Sequence, residues 1–172
     1  MRPNQLLRLA LGQEAPSRGE ILLDGAPIPA EPGPDRGVVF QRYSVFPHMT
    51  VLQNVMFGAR CDQAPLTGLL MGADRRQAKA EAVAILEQVG LSAALKAFPR
   101  ALSGGMQQRA SIARALAFDA DLLLMDEPFG ALDEIVRDHL NEQLLELWAK
   151  TNKTICFVTH SIPEAVYLST KI

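Results

Sequence analysis

Basic residues are in short supply. Seventeen Lys and Arg are set against nineteen Asp and Glu, for a formal net charge of −2. A protein that neutralises a phosphate backbone needs a cationic excess, so no nucleic-acid partner is expected. Long hydrophobic runs are also missing. No stretch approaches the roughly 20 apolar residues of a membrane span. In the opening Met1–Leu9 run, Arg8 interrupts the leucines and no small-residue cleavage site follows, which argues against a secretory leader. Only two cysteines occur, Cys61 and Cys156. They lack metal-ligand spacing, form no evident framework and fit a reducing compartment as buried or idle thiols. No repeat or low-complexity segment is visible. Finally, G-x-x-x-x-G-K-[ST], whose backbone N–H groups cradle phosphates, occurs nowhere in the 172 residues.

What remains is an ordinary soluble composition, 48% hydrophobic and 21% charged, long enough to bury roughly 70% of its unfolded surface in one domain. Gln5–Leu11 reads as a short helix stopped by Gly12. Glu20–Gly25 reads as a strand running into an Asp-Gly turn. Gly37–Gln41 is a short apolar run, as in a strand buried on both faces. A helix is expected from Val51 to Phe57. Another spans Arg75–Val89, where Ala78, Ala82, Ile85, Leu86 and Val89 form a helical stripe. Gly104–Phe118 reads as a helix and Asp121–Met125 as a buried strand. Leu132–Thr151 is an amphipathic helix with Leu132, Val136, Leu140, Leu144 and Trp148 on one face. Thr154–Thr159 is a further strand, and Pro163 sits in the first turn of a last helix. Strands alternate with helices at both ends of the chain and the middle is helical, so an α/β core with an inserted helical subdomain is expected.

Several runs carry chemistry. Asp126 and Glu127 end a buried strand at its carboxyl end, where open α/β sheets place their ligands. Two carboxylates there suit a divalent cation and an oriented water, or equally a solvated strand end. Ser103-Gly104-Gly105 opens a helix. Glycine admits close backbone approach and a helix N-terminus attracts anions, although Ser103 as an N-cap explains the same residues. Gln41 and His160 each follow a strand, a place where such residues also serve as plain hydrogen-bonding groups. His48 and His139 read as surface residues.

Taken in order, Leu102-Ser103-Gly104-Gly105-Met106-Gln107-Gln108-Arg109, Leu122-Leu123-Leu124-Met125-Asp126-Glu127-Pro128, Ala131-Leu132-Asp133 and Thr159-His160 resemble the ATP-binding cassette ATPases that drive ABC transporters. The resemblance runs from about Leu6 to Ile172. It implies a P-loop NTPase (RecA-like) parallel-sheet core, incomplete at both termini of this chain. Residues 1–42 and 118–172 would form the α/β core and 43–117 the helical subdomain. It assigns Asp126 to Mg²⁺, Glu127 to catalysis, and Gln41 to the metal and the attacking water. His160 is assigned to the γ-phosphate, Asp133 to the dimer seam, and Ser103, Gly104 and Gly105 to ATP held by the opposite subunit. Gln107 and Arg109 match the pattern that follows. The implied cofactors are ATP and Mg²⁺. The implied partners are an integral-membrane permease, a second ATPase subunit in a head-to-tail dimer and, indirectly, a solute-binding protein. The implied location is cytoplasmic, peripheral on the inner face of the membrane. Pro34–Gln41 and Ile162–Ser169 look like bacterial importers of the nitrate/sulfonate/taurine group.

One departure stands out. Leu6–Gly12 looks like the helix that follows the phosphate loop, yet nothing near Arg2-Pro3-Asn4-Gln5 matches Gly-Lys-Ser/Thr. The chain therefore reads as an N-terminally truncated member, inactive as given, with neighbours of the missing first strand exposing an apolar edge. The alternatives are a catalytically dead interaction subunit that docks a permease, and a soluble ABC-type ATPase of DNA repair or translation.

Overall fold

The computed structural model describes residues 3–31, 33, 35–41, 44–58, 72–118, 120–130, 132–151 and 153–170. Helix α1 (Pro3–Ala10) comes first. It ends as Gly12 takes a φ of +74°, and a Cβ there would meet Pro29 O at 2.3 Å, so both conformation and space require glycine. Strands β1 (Leu22–Leu23) and β2 (Ala26–Pro27) form a hairpin. Asp24 and Gly25 turn it with φ of 51° and 80°, the paired positive values a two-residue hairpin needs. The strand expected from Glu20 is shorter than the sequence suggests: among the described residues only Leu22 and Leu23 pair with β2.

Next come β3 (Arg36–Val39), α2 (Val51–Val55), α3 (Gly72–Gln88), two 3₁₀ turns (Ser92–Ala94 and Pro99–Ala101) and α4 (Gly104–Ala117). Then follow β4 (Leu122–Asp126), α5 (Glu134–Thr151), β5 (Thr154–Val158) and α6 (Ile162–Leu168). Between β3 and β4 the described residues hold only helical elements. Helix α2 starts with a capping box: Thr50 Oγ1 accepts from Gln53 N, and Gln53 Oε1 accepts from Thr50 N. Helix α5 starts at Glu134 rather than Leu132, because Asp133 Oδ1 accepts from Val136 N at 2.9 Å and so acts as the N-cap.

β3, β4 and β5 make one parallel sheet with β4 central. β4 is apolar from Leu122 through Met125 because both its faces are covered there. Leu122 and Leu124 pack against Leu7 of α1 and Leu11 just beyond it. Burying that pair of leucines contributes roughly 3–6 kcal/mol. Leu123 and Met125 join the larger core on the other face with Val39, Phe129, Leu140 and Leu144. That core continues into the helical part through Val51, Val55, Leu86, Leu91, Ile112 and Ala113. In register, Val39 lies opposite Met125, and Asp126 lies opposite Val158. The carboxyl ends of all three strands therefore open on one edge of the sheet.

Among the described residues β5 has no strand on its far side. A cavity of about 590 Å³ runs there, lined by Leu6, Leu144, Trp148 and the consecutive residues Ile155–Val158. Successive strand residues face opposite sides. A cavity touching four in a row must therefore lie along the strand's edge, between the α1 layer and the α5 layer. Trp148, expected on the buried stripe of α5, is 41% exposed because it borders this opening.

Candidate functional site

The shared strand edge brings three of the sequence-predicted residues onto one atom. Glu127 follows β4, with its N–H donating to Val158 O of β5 at 2.8 Å. Its φ is +45°, in the left-handed region that non-glycine residues rarely adopt. Gly130 N donates to Glu127 O at 3.1 Å, closing the turn. The Glu127 side chain thereby meets the end of β3, where Gln41 Nε2 donates to Glu127 Oε2 at 2.9 Å. His160, just past β5, places Nδ1 3.3 Å from the same oxygen. Gln41 and His160 are exposed and Glu127 is half-buried, so the cluster faces solvent.

Asp126, the last residue of β4, stands beside this group. Its carboxyl is held above the ordinary aspartate range, first by burial and then by the charge of Glu127. A divalent cation would offset both effects. One or two carboxylates with water and phosphate oxygens suit Mg²⁺ better than a full protein cage. Among the described residues no group of three or more His, Cys, Asp or Glu is arranged to hold a metal unaided. The donor set present thus fits a metal that arrives with a phosphate ligand.

The remaining predicted residues gather elsewhere. Ser103 caps α4, its Oγ accepting from Met106 N at 3.3 Å. Gln107 Nε2 donates to Leu102 O at 3.3 Å, bracing the same turn. A Cβ on Gly105 would lie 3.2 Å from Leu132 Cδ2, so the segment carrying Asp133 rests against the glycine turn. Arg109 Nη1 donates to Val89 O and Gly90 O, tying α4 to the end of α3. Ser103, Gly104, Gly105, Gln107 and Asp133 make no hydrogen bond with Gln41, Asp126, Glu127 or His160 among the described residues. One chain therefore carries two separate groups. His48 and His139 are exposed, as expected; Cys156 is half-buried and free, with its thiol pushed up by burial. Cys61 and Tyr43 lie outside the described residues.

Sequence reasoning missed two supports. Thr159 Oγ1 donates to Glu164 Oε2 and accepts from Ser161 N at 3.0 Å, fixing the turn that carries His160. The Ser161-x-x-Glu164 spacing was the available signal. Its reciprocal box is only half made: Glu164 N donates to Ser161 Oγ at 3.4 Å, but the carboxylate turns to Thr159. The second is Asn54, fully buried in the single turn of α2. It accepts from Phe46 N at 2.7 Å and donates to Phe46 O, Met49 O and Thr50 O, shaping the irregular run after Gln41.

The ABC transporter family profile matches residues 5–130. The chain belongs to the ABC transporter family. Its fold is that of the ABC ATPase cassette, a P-loop NTPase architecture. A dimeric ATP-binding cassette solved in a post-hydrolysis state with ADP and Pi superposes with a TM-score of 0.79 at 28% identity, covering 95% of this chain and 72% of that one. An uncharacterized ABC transporter ATP-binding protein of Methanocaldococcus jannaschii is 47% identical over 97% of this chain and 59% of its own length. The taurine import ATP-binding protein TauB of Rhizobium johnstonii is 47% identical, covering 91% of this chain and 56% of the relative. For the nitrate import ATP-binding protein NrtD of Synechocystis the figures are 44%, 97% and 59%. The chain thus spans under two thirds of the length of these relatives. No helix among the described residues is long and apolar enough to cross a membrane.

Proposed function

We propose that this chain is the nucleotide-hydrolysing subunit of an ABC importer, coupling ATP hydrolysis to uptake of a small solute of the nitrate/sulfonate/taurine class. The observation that carries this reading is the meeting of Gln41 and His160 on one oxygen of Glu127. In it, Glu127 would orient and polarise the attacking water, Asp126 would hold the cation, and Gln41 would reach both cation and water. His160 would contact the terminal phosphate. Bound Mg²⁺·ATP would supply the phosphoryl group and neutralise its developing charge.

Ser103, Gly104 and Gly105, with Gln107 beside them, would act on ATP held by a second subunit. Their separation from Glu127 within one chain supports that division, since a second copy head-to-tail lets each group complete the other's site. Asp133 would lie on the seam. The permease would sit against the run after Gln41, placing the subunit on the inner face of the membrane. Residues 1–172 hold no Gly-x-x-x-x-Gly-Lys segment, so by themselves they should neither bind ATP tightly nor hydrolyse it. Losing even one preorganised donor can cost about 3 kcal/mol at a transition state. That same absence, beside an intact glycine turn, favours a second reading: an inactive subunit that lends Ser103-Gly104-Gly105 to an active partner.

Turnover after restoring the phosphate loop separates the two, with calorimetry to follow binding. Residues 1–172 should bind Mg²⁺·ATP no more tightly than millimolar, and joining them to the phosphate-loop segment of the taurine relative should restore turnover. A restored, folded and ATP-binding protein that stays inert would favour the second reading.

A further inference from the structure

The described part of the run after Gln41, residues 44–49, belongs to no helix or strand, yet it is fixed at two points. Asn54 holds its far end through Phe46 and Met49. Its near end is held by α4. Arg114 Nη2 donates to Ser44 Oγ at 3.0 Å. Arginine only donates, so Ser44 Oγ accepts there, and its own hydrogen is free for Ser111 Oγ, 2.9 Å away. Ser111 is 1% exposed. The Arg114 guanidinium also lies over the Phe46 ring, 5.0 Å from its centroid, and that ring packs on Phe57 at 4.7 Å. Among the described residues no ion pair joins Arg114 to a carboxylate, and its buried Nη1 finds no hydrogen-bond partner. Burial accordingly pulls its pKa down with nothing to offset it. A half-buried cation held by one hydroxyl and one ring face is a costly way to fill space.

We infer that Arg114 is a positioning residue, which latches Ser44 and Phe46 to α4 so that the Ser103-Gly104-Gly105 turn and Gln41 shift as one unit. Only three peptide links separate Gln41 from Ser44, a reach of about 11 Å at most. Movement of α4 is therefore passed to the side chain that holds Glu127, and a change at Glu127 is passed back. The inference rests on the proposed role of Gln41 at Glu127.

The test needs no nucleotide. The Gln41 side-chain amide is followed by ¹⁵N NMR, and the backbone amides of Phe46 and Met49 by hydrogen exchange. Glu127→Gln supplies the reference position of a Gln41 amide whose carboxylate acceptor is gone. Arg114→Ala and the milder Ser44→Ala should speed exchange at Phe46 and Met49 at least tenfold and move the Gln41 signal away from its wild-type position. Arg114→Lys, which keeps the charge but not the planar stack, should give an intermediate shift. Arg109→Ala, which frees α4 from α3 at another point, should leave the Gln41 signal in place. Folded Ser44→Ala protein with an unmoved Gln41 signal would overturn the latch, and so would an equal response to Arg109→Ala. If Glu127→Gln itself leaves Gln41 unmoved, the Gln41–Glu127 contact is absent and the site reading falls with the latch.

Discussion

Replacing Asn54 should damage the fold more than any other single polar substitution in the helical part. The side chain is 0% exposed and serves four backbone groups. Thr50 O keeps a partner in Asn54 N, the first bond of α2. Asn54→Ala therefore strands Phe46 N, while Phe46 O, which still accepts from Met49 N, and Met49 O each lose a side-chain donor. At about 1 kcal/mol for each lost pairing the total is roughly 3 kcal/mol. For a chain of this size that is a fall in Tm of roughly 6–12 °C. Asn54→Asp should be worse at neutral pH, although it differs by one atom type. It keeps an acceptor for Phe46 N but turns a second oxygen toward three carbonyls, in a fully buried site. The carboxyl would resist ionisation, so its folded pKa would lie above its unfolded one. Stability of that variant should then rise as pH falls through the folded pKa, because the folded state binds the extra proton more tightly. Urea denaturation between pH 4 and pH 8 would measure both effects. Equal stability of wild type and Asn54→Ala, or an Asn54→Asp variant no more sensitive to pH than wild type, would refute the reasoning.

Other outcomes follow from the same geometry. Asp126 has a carboxyl raised by burial and by Glu127, so its ionisation opposes folding. Asp126→Asn should leave stability at pH 7 equal or higher, and should remove part of the gain that wild type shows as pH falls through the raised pKa, both read from urea midpoints. Thr159→Val removes the hydroxyl donor to Glu164, whose other oxygen is already unpartnered and buried. It should cost about 1.5–3 kcal/mol, the range for a lost hydrogen bond to a charged group, and should raise exchange at the Ser161 amide. Gly105→Ala adds a Cβ only 3.2 Å from the flexible end of Leu132. Thermal stability should stay within about 1 kcal/mol, since alanine gains helix propensity, while in the protein joined to a phosphate-loop segment the ATP-driven dimerisation seen in light scattering should be lost.

The sheet was legible because β4 is apolar from Leu122 through Met125, as expected of a strand covered on both faces. The site was legible for a related reason. In a parallel sheet the strands end together, so Gln41, Asp126-Glu127 and His160 had to fall on one edge once their strands were recognised. What could not be read was direction. Nothing in the sequence says that Gln41 and His160 share one oxygen of Glu127, because that depends on the positive φ of Glu127, which alanine-like propensities would not favour. The supports at Asn54 and Arg114 were hidden for another reason. Their partners are backbone groups and hydroxyls of an irregular run, which leaves no periodic signal. Leu132 shows the boundary problem in small: the apolar stripe continues through it, but Asp133 takes the capping position and the helix starts one residue later.

The most direct test of the account is single-turnover ATP hydrolysis by residues 1–172 joined to the phosphate-loop segment of the taurine relative. Wild type is compared with Glu127→Gln, which keeps the size of the side chain and removes the charge. The account predicts ATP binding within a fewfold of wild type and a hydrolysis rate lower by a factor of a hundred or more, on the order of 3 kcal/mol of transition-state stabilisation. Hydrolysis by Glu127→Gln at the wild-type rate would contradict it.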